Sequence, residues 1–256
     1  MAENFHFIPI DYNPFEEAPY SKVGRVVDAQ KEIWLSCVLG GKEAKLAYNE
    51  SASLKLEGLL FQDYLIQACQ TLVSRHESLR LEFATNGQRF MVREWIYPDL
   101  FFQDLSGFDP IRQEKAIQDF IGEEVLFDFD LGKGPLVKFS LLKLSEKSHL
   151  FTVTTHHLVV DGWSFGVIFE EIGEIYSSLI EQTNPNLPKP FQFSAYAELM
   201  EAFTNSKEYT KMESYWLEKY RQLPPRLEMP TDGQRPANRT FVCRRDDFVL
   251  DGIILD

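Results

Sequence analysis

A chain of 256 residues, 44% hydrophobic and 25% charged, is long enough to bury one sizeable core or two small ones. Its formal net charge of −13 excludes nucleic acid as a partner, because neutralising phosphates takes a basic surface; a local basic patch for an acidic protein stays open. No apolar run approaches the roughly 18 residues of a membrane span, and the N-terminus lacks the basic-then-apolar pattern of a signal peptide, so a cytoplasmic protein without membrane association is expected.

In chain order, the first predicted element is a short helix over 28–39, "DAQKEIWLSCVL", with Asp28 as its N-cap. A longer helix runs through 57–76, where Leu65, Ile66, Cys69, Leu72 and Val73 recur at three- and four-residue spacing and make one apolar stripe. "LRLEFAT" and "QRFMVREW" then flank Asn86-Gly87, which predicts a hairpin with a type I′ turn. A helix over 110–126 begins at Pro110 with Asp109 as cap. Two strands, "PLVKFSLLKLS" and "HLFTVTTHHLV", are joined by the turn "EKS". They lead into a helix over 164–182 whose apolar face is Phe165, Ile168, Phe169, Ile172, Ile175 and Tyr176, with Ser164 as N-cap. The Pro- and Asn-rich stretch 182–193 reads as a linker before helices near 194–204 and 207–222. The last residues look like unpaired strand material. Cys37, Cys69 and Cys243 form neither a C-x-x-C nor a disulfide framework, and the first two read as small buried hydrophobes.

Two signatures overlap in "THHLVVDGWSFGV", residues 155–167. From the right, Gly162, Ser164 and Gly166 form a Gly-x-Ser-x-Gly in the strand–turn–helix setting of a nucleophile elbow. That chemistry needs an acid and then a histidine downstream of the serine. The five histidines are His6, His76, His149, His156 and His157, and none follows Ser164, so the serine hydrolase is the weaker reading. From the left, the motif is His156-His157-x-x-x-Asp161-Gly162. Side chains alternate along a strand, so the two histidines face opposite ways and only one serves a given site. Packing alone can account for such a pair. Its place at a strand end, before a glycine turn and a helix, is where active sites gather in α/β proteins. Gly162 is expected to supply a backbone conformation closed to other residues and room for close approach. No metal is expected, since neither H-E-x-x-H nor a Cys/His cluster is present.

The histidine motif closely resembles the signature of condensation domains of nonribosomal peptide synthetases, within the chloramphenicol acetyltransferase-like superfamily. "DAQKEIWL" at 28–35, "RHESLRLEF" at 75–83 (Leu81 in place of the usual threonine), "FDFDLGKGPLVKFSLLKL" at 127–144, "FSAYAELM" at 193–200 and "YWLEKYRQLP" with "MPTDGQRP" beyond it are similar to further motifs of that family, in the family's order. The histidine pair sets the chain apart from heterocyclisation domains, which carry aspartate there, and "DGWSFG" suits condensation better than epimerisation. "AYNES" at 47–51 is similar to condensation domains that receive an acyl or polyketide donor.

The resemblance implies an α/β fold, an α+β two-layer sandwich. It implies an N-terminal extension over 1–19, a first lobe over 20–180, and over 181–256 a linker and the start of a largely missing second lobe. It implies amide formation between a donor acyl thioester and an acceptor aminoacyl thioester. The substrates would be delivered on the phosphopantetheine arms of two carrier proteins beside an adenylation domain, with no cofactor bound directly. His157, the second histidine of the motif, would accept the amine proton or hold the amine, and the backbone near Gly162 would stabilise the oxyanion. His156 would be structural, and Asp161 would organise the loop, by hydrogen bonds to backbone or by an ion pair with Arg75 or Arg80. A non-catalytic docking module of the same fold is the rival reading.

Overall fold

Residues 20–225, 227–231, 233–234, 240 and 241 are described by the structure, a computed structural model. The strand expected at the C-terminal end, Cys243 and the extension before Tyr20 lie outside the described residues. The elements are β1 (Tyr20–Arg25), α1 (Asp28–Leu46), β2 (Asn49–Glu57), α2 (Gln62–Arg75), a 3₁₀ turn (Glu77–Arg80), β3 (Leu81–Phe83) and β4 (Arg89–Arg93). They continue with β5 (Leu100–Asp104), α3 (Pro110–Val125), β6 (Val137–Ser145), β7 (Ser148–His156), α4 (Gly162–Glu181), α5 (Phe193–Thr204) and α6 (Lys207–Lys219). The α/β architecture is the one the sequence implies.

A four-stranded sheet runs β2-β7-β6-β5, antiparallel except for the parallel β5–β6 pair, and a smaller sheet runs β1-β4-β3. Strand alternation gives the large sheet two buried faces. Val137, Phe139 and Leu141 of β6, with Phe151 and Val153 of β7, join the core beneath α2 and α4. On the other face Leu142 packs with Leu105 and with Phe120 of α3. That face is also polar: Glu124 of α3, almost fully buried, meets Lys138 Nζ at 2.5 Å, Ser140 Oγ at 3.0 Å and Thr154 Oγ1 at 2.6 Å. A buried carboxylate is tolerated there because a cation and two hydroxyls surround it.

The apolar face read for α4 is in place, with Phe165, Ile168, Ile172 and Ile175 buried, and Cys37 and Cys69 are buried too. Asp109 caps α3 as expected, accepting from the Ile111 and Arg112 backbone N–H groups. Five expectations change. The first helix extends to Leu46 through a kink at Gly41, where φ is 66°, and Asp28 is its first residue while Val27 occupies the cap. The second helix begins at Gln62, because the residues before Gly58 belong to β2. The hairpin exists, but only Gly87, at φ 63°, is left-handed; its N–H bonds Ala84 O, so Thr85 and Asn86 are the central residues and the turn is not type I′. A Cβ at Gly87 would also strike the Trp34 ring. The last helix stops at Lys219. Strands β1, β2 and β5 are additional to the elements that the sequence predicts. Among the described residues, no helix is long and apolar enough to cross a membrane.

Candidate active site

The histidine motif lies where β7 ends. Asn49 of β2 pairs with His156, and the next N–H, that of His157, donates to Tyr48 O at 2.9 Å. The chain then turns, with Val159 N bonding back to His156 O at 3.0 Å. Leu158, Val159 and Val160 are buried and anchor the turn, while Gln30 of α1 reaches across to donate to Leu158 O at 2.8 Å. A hydrophobic run after the strand thus fixes the direction in which the histidines leave it.

The two rings meet different surroundings. His156 is fully buried between Tyr48 and Phe129. Its Nδ1 accepts from Leu158 N at 3.2 Å, which assigns the proton to Nε2, 3.9 Å from Cys37 Sγ. Burial pushes its pKa down to about 4, so the ring is neutral at neutral pH. His157 keeps 35% of its side chain exposed, lies edge-on to Tyr48, and places Nδ1 3.3 Å from Val160 O. Its Nε2 lies 3.4 Å from Glu50 Oε2. That carboxylate oxygen is buried and accepts no hydrogen bond.

Asp161 caps α4: Oδ1 accepts from Ser164 N at 3.0 Å and from Ser164 Oγ at 2.7 Å, while Ser164 Oγ accepts from Asp161 N at 3.2 Å. This is a capping box; it corrects the reading of Ser164 as cap, and of the two ways open to Asp161 for holding the loop it uses a hydrogen bond from backbone in place of an arginine. Ser164 is the third helical residue, not the cap, and its hydroxyl is spent on Asp161. Asp161 meets neither arginine, because both are engaged elsewhere. Arg75 binds Glu171 Oε2 at 2.9 Å and Pro188 O at 2.8 Å. Arg80 donates to the carbonyls of Val73, Ser74, Arg93 and Glu94, tying α2 to the end of β4. The Ser164 hydrogen bonds, aided by the nearby His157, hold the Asp161 carboxyl below its ordinary pKa. Gly162 is the first residue of α4 and its φ is not left-handed, so conformation does not demand glycine there. Open space does surround it: an added Cβ would meet nothing within 4 Å.

The structure therefore gathers His157, Asp161 and Gly162 at one helix–strand junction, buries His156 beneath them, and leaves Arg75 and Arg80 to bind neighbouring elements. Sequence reasoning missed Glu50 and Glu171. Glu171 had a legible signal, being an acid within the apolar face of α4 about one turn from Ile168 and from Ile175. Glu50 became visible only once β2 was in register with β7. No group of three or more His, Cys, Asp or Glu side chains among the described residues is placed to hold a metal ion.

A family profile described as "Condensation domain" matches residues 21–255. The chain belongs to the condensation-domain family. Relatives include Surfactin synthase subunit 2 of Bacillus subtilis (strain 168), 32% identical over 241 residues, which cover 94% of this chain and 6% of that protein. Tyrocidine synthase 3 of Brevibacillus parabrevis is 32% identical over 236 residues, 92% of this chain and 3% of the other. This condensation-domain chain thus spans a few per cent of the length of these peptide synthetases. Its fold is similar to the starter condensation domain of the rhizomide synthetase RzmA, with TM-score 0.73 and 23% identity, over 80% of this chain and 49% of that one. The first condensation domain of the calcium-dependent antibiotic synthetase, solved with a substrate analogue, superposes with TM-score 0.68 over 84% of this chain and 52% of its own.

Proposed function

We propose that this chain forms the His157 side of a site for amide synthesis, in which the amine of a carrier-bound aminoacyl thioester attacks a carrier-bound acyl or peptidyl thioester. The observation that carries the reading is the half-exposed imidazole of His157, fixed at the end of β7 beside the N-terminus of α4. An imidazole is suited to take up a proton near pH 7. One ammonium proton passes to the ring, and the freed lone pair attacks the donor carbonyl carbon. The C–S bond then breaks, and the departing thiolate takes the proton shed by the new amide nitrogen. The first N–H groups of α4, at Gly162 and Trp163, lack intrahelical partners and carry the positive end of the helix dipole. With open space at Gly162, they are suited to the oxyanion of the tetrahedral intermediate. His156, neutral and enclosed, supports the turn from below.

In the same reading, residues 20–180 make up the first lobe, and 181–256 the linker and the start of a second. Carrier proteins present both substrates on phosphopantetheine arms, in the cytoplasm and beside an adenylation domain. The test supplies the chain with one carrier protein loaded with an acyl group and one loaded with an aminoacyl group, and follows amide product. His157→Ala is expected to lower product formation by at least about 100-fold while the melting temperature holds. Equal turnover by the variant overturns the assignment. Carrier binding without product in the wild-type chain favours the docking module.

A further inference from the structure

Among the described residues Glu50, whose side chain is 37% exposed but whose Oε2 is buried, is partnered differently from the buried acids. Glu82, Glu124 and Glu171 each sit against an arginine or lysine. Glu77 is paired with Lys22 and accepts from Ser194 N. Among the described residues Glu50 has no cation but His157, and its buried Oε2 accepts no hydrogen bond although Nε2 of that ring is 3.4 Å away. With Nδ1 directed to the Val160 carbonyl, the neutral ring carries its proton on Nδ1 and turns the Nε2 lone pair toward the carboxylate. Two acceptors therefore converge with no donor between them. An unpaired buried carboxylate oxygen is costly, and a site that keeps one is set up for a donor that arrives from outside.

We propose that Glu50 is a binding residue for the protonated amine of the acceptor, holding an ammonium group between its carboxylate and Nε2 of His157. An ammonium carries three N–H donors and a positive charge, which satisfies both acceptors and leaves a third donor free. A hydroxyl or an acylated amine cannot do this. The position is held from the backbone: Tyr48 O takes the His157 N–H, and Glu50, two residues on along β2, pairs with Thr155 of β7. When the ring has taken the amine proton, the same carboxylate faces the imidazolium. The proposal rests on the amide-forming reading of His157 and names what that site binds: a primary ammonium next to a thioester.

The test is a binding measurement and needs no turnover. The 256-residue chain is titrated by calorimetry with the N-acetylcysteamine thioester of an amino acid and with its N-acetylated counterpart, which lacks the ammonium. The wild-type chain should prefer the free amine by about 10-fold, the low end for a charge-assisted hydrogen bond, because the Glu50 side chain is 37% exposed and partly screened by solvent. Glu50→Gln, isosteric and uncharged, should erase that preference without a change in melting temperature, and Glu50→Asp should keep part of it. A preference that survives in Glu50→Gln, or no preference in the wild-type chain, overturns the proposal. Because His157→Ala turnover is read separately, failure of the amide-forming reading is distinguishable from failure here.

Discussion

Asp161 and His156 flank the exposed imidazole, and each holds the site by a different interaction. Asp161 works through a helix cap. Two of its contacts go to Ser164, and the loop is kept by those bonds, not by an arginine. Asp161→Ala should therefore cost about 1 kcal/mol, the ordinary worth of an N-cap, and the variant should fold; chemical denaturation measures the loss. A collapse to insoluble protein would mean that some further interaction of Asp161 matters more. His156 works by burial. Its folded pKa of about 4 lies below the roughly 6.5 of an unfolded imidazole. Between those values the unfolded chain takes up a proton on this ring and the native chain does not, so stability falls as pH drops through that window. The loss through this ring alone is on the order of 3 kcal/mol from pH 7 to pH 4. His156→Ala should be destabilised at pH 7 by about 3 kcal/mol, as for other buried rings, and should show a flatter pH dependence across the window. An unchanged slope in denaturation curves would assign the titration to another group.

At the scale of elements, Glu171 shows how much was legible and why the remainder was not. The period of Phe165, Ile168, Ile172 and Ile175 places α4, and strand alternation along β7 separates the two histidines. Periodicity reports which face is buried, but not which polar group crosses to another element. It therefore does not tell an arginine partner on Asp161 from one on Glu171, and the fold brings Arg75 and His76 to Glu171 and Gln192 to the Arg75 carbonyl. The same limit hid β2. "NESASLKLE" carries its small and apolar residues, Ala52, Leu54 and Leu56, at alternate positions, but its polar content reads as loop until β7 supplies the partner. The Glu171 cluster makes its own prediction. Burial raises the carboxyl, but the Arg75 and His76 hydrogen bonds outweigh it and leave the pKa below its ordinary value. A depressed carboxyl stabilises the fold above its unfolded pKa of roughly 4.3 and loses that contribution as pH falls through the folded value. Glu171→Gln should weaken the acid dependence of stability below that range. At pH 7 it should cost about 3 kcal/mol, because Arg75 is left without its carboxylate; thermal melts across pH record both effects.

At the scale of the molecule, apolar surface is distributed unevenly. The core closes around β6, β7, α2 and α4, whereas α6 buries none of its residues. Met212, Tyr215, Trp216 and Leu217 of that helix, and Tyr220 just after it, are all exposed, although the helix has a proper Ser206 cap and an aromatic contact from Tyr209 to Phe203. A capped helix held at one end by one ring pair adds little to the stability of the rest, since stabilisation follows the area removed from water. Trp216→Ser and Leu217→Ser should therefore shift stability by no more than about 0.5 kcal/mol, the range of surface substitutions. Phe139→Ala, which deletes a fully buried ring stacked on Phe151, should cost about 3–5 kcal/mol. Denaturant titration of the three variants side by side makes the comparison. A large loss from either α6 substitution would show that this helix is packed in solution, and by a surface other than the one the described residues provide.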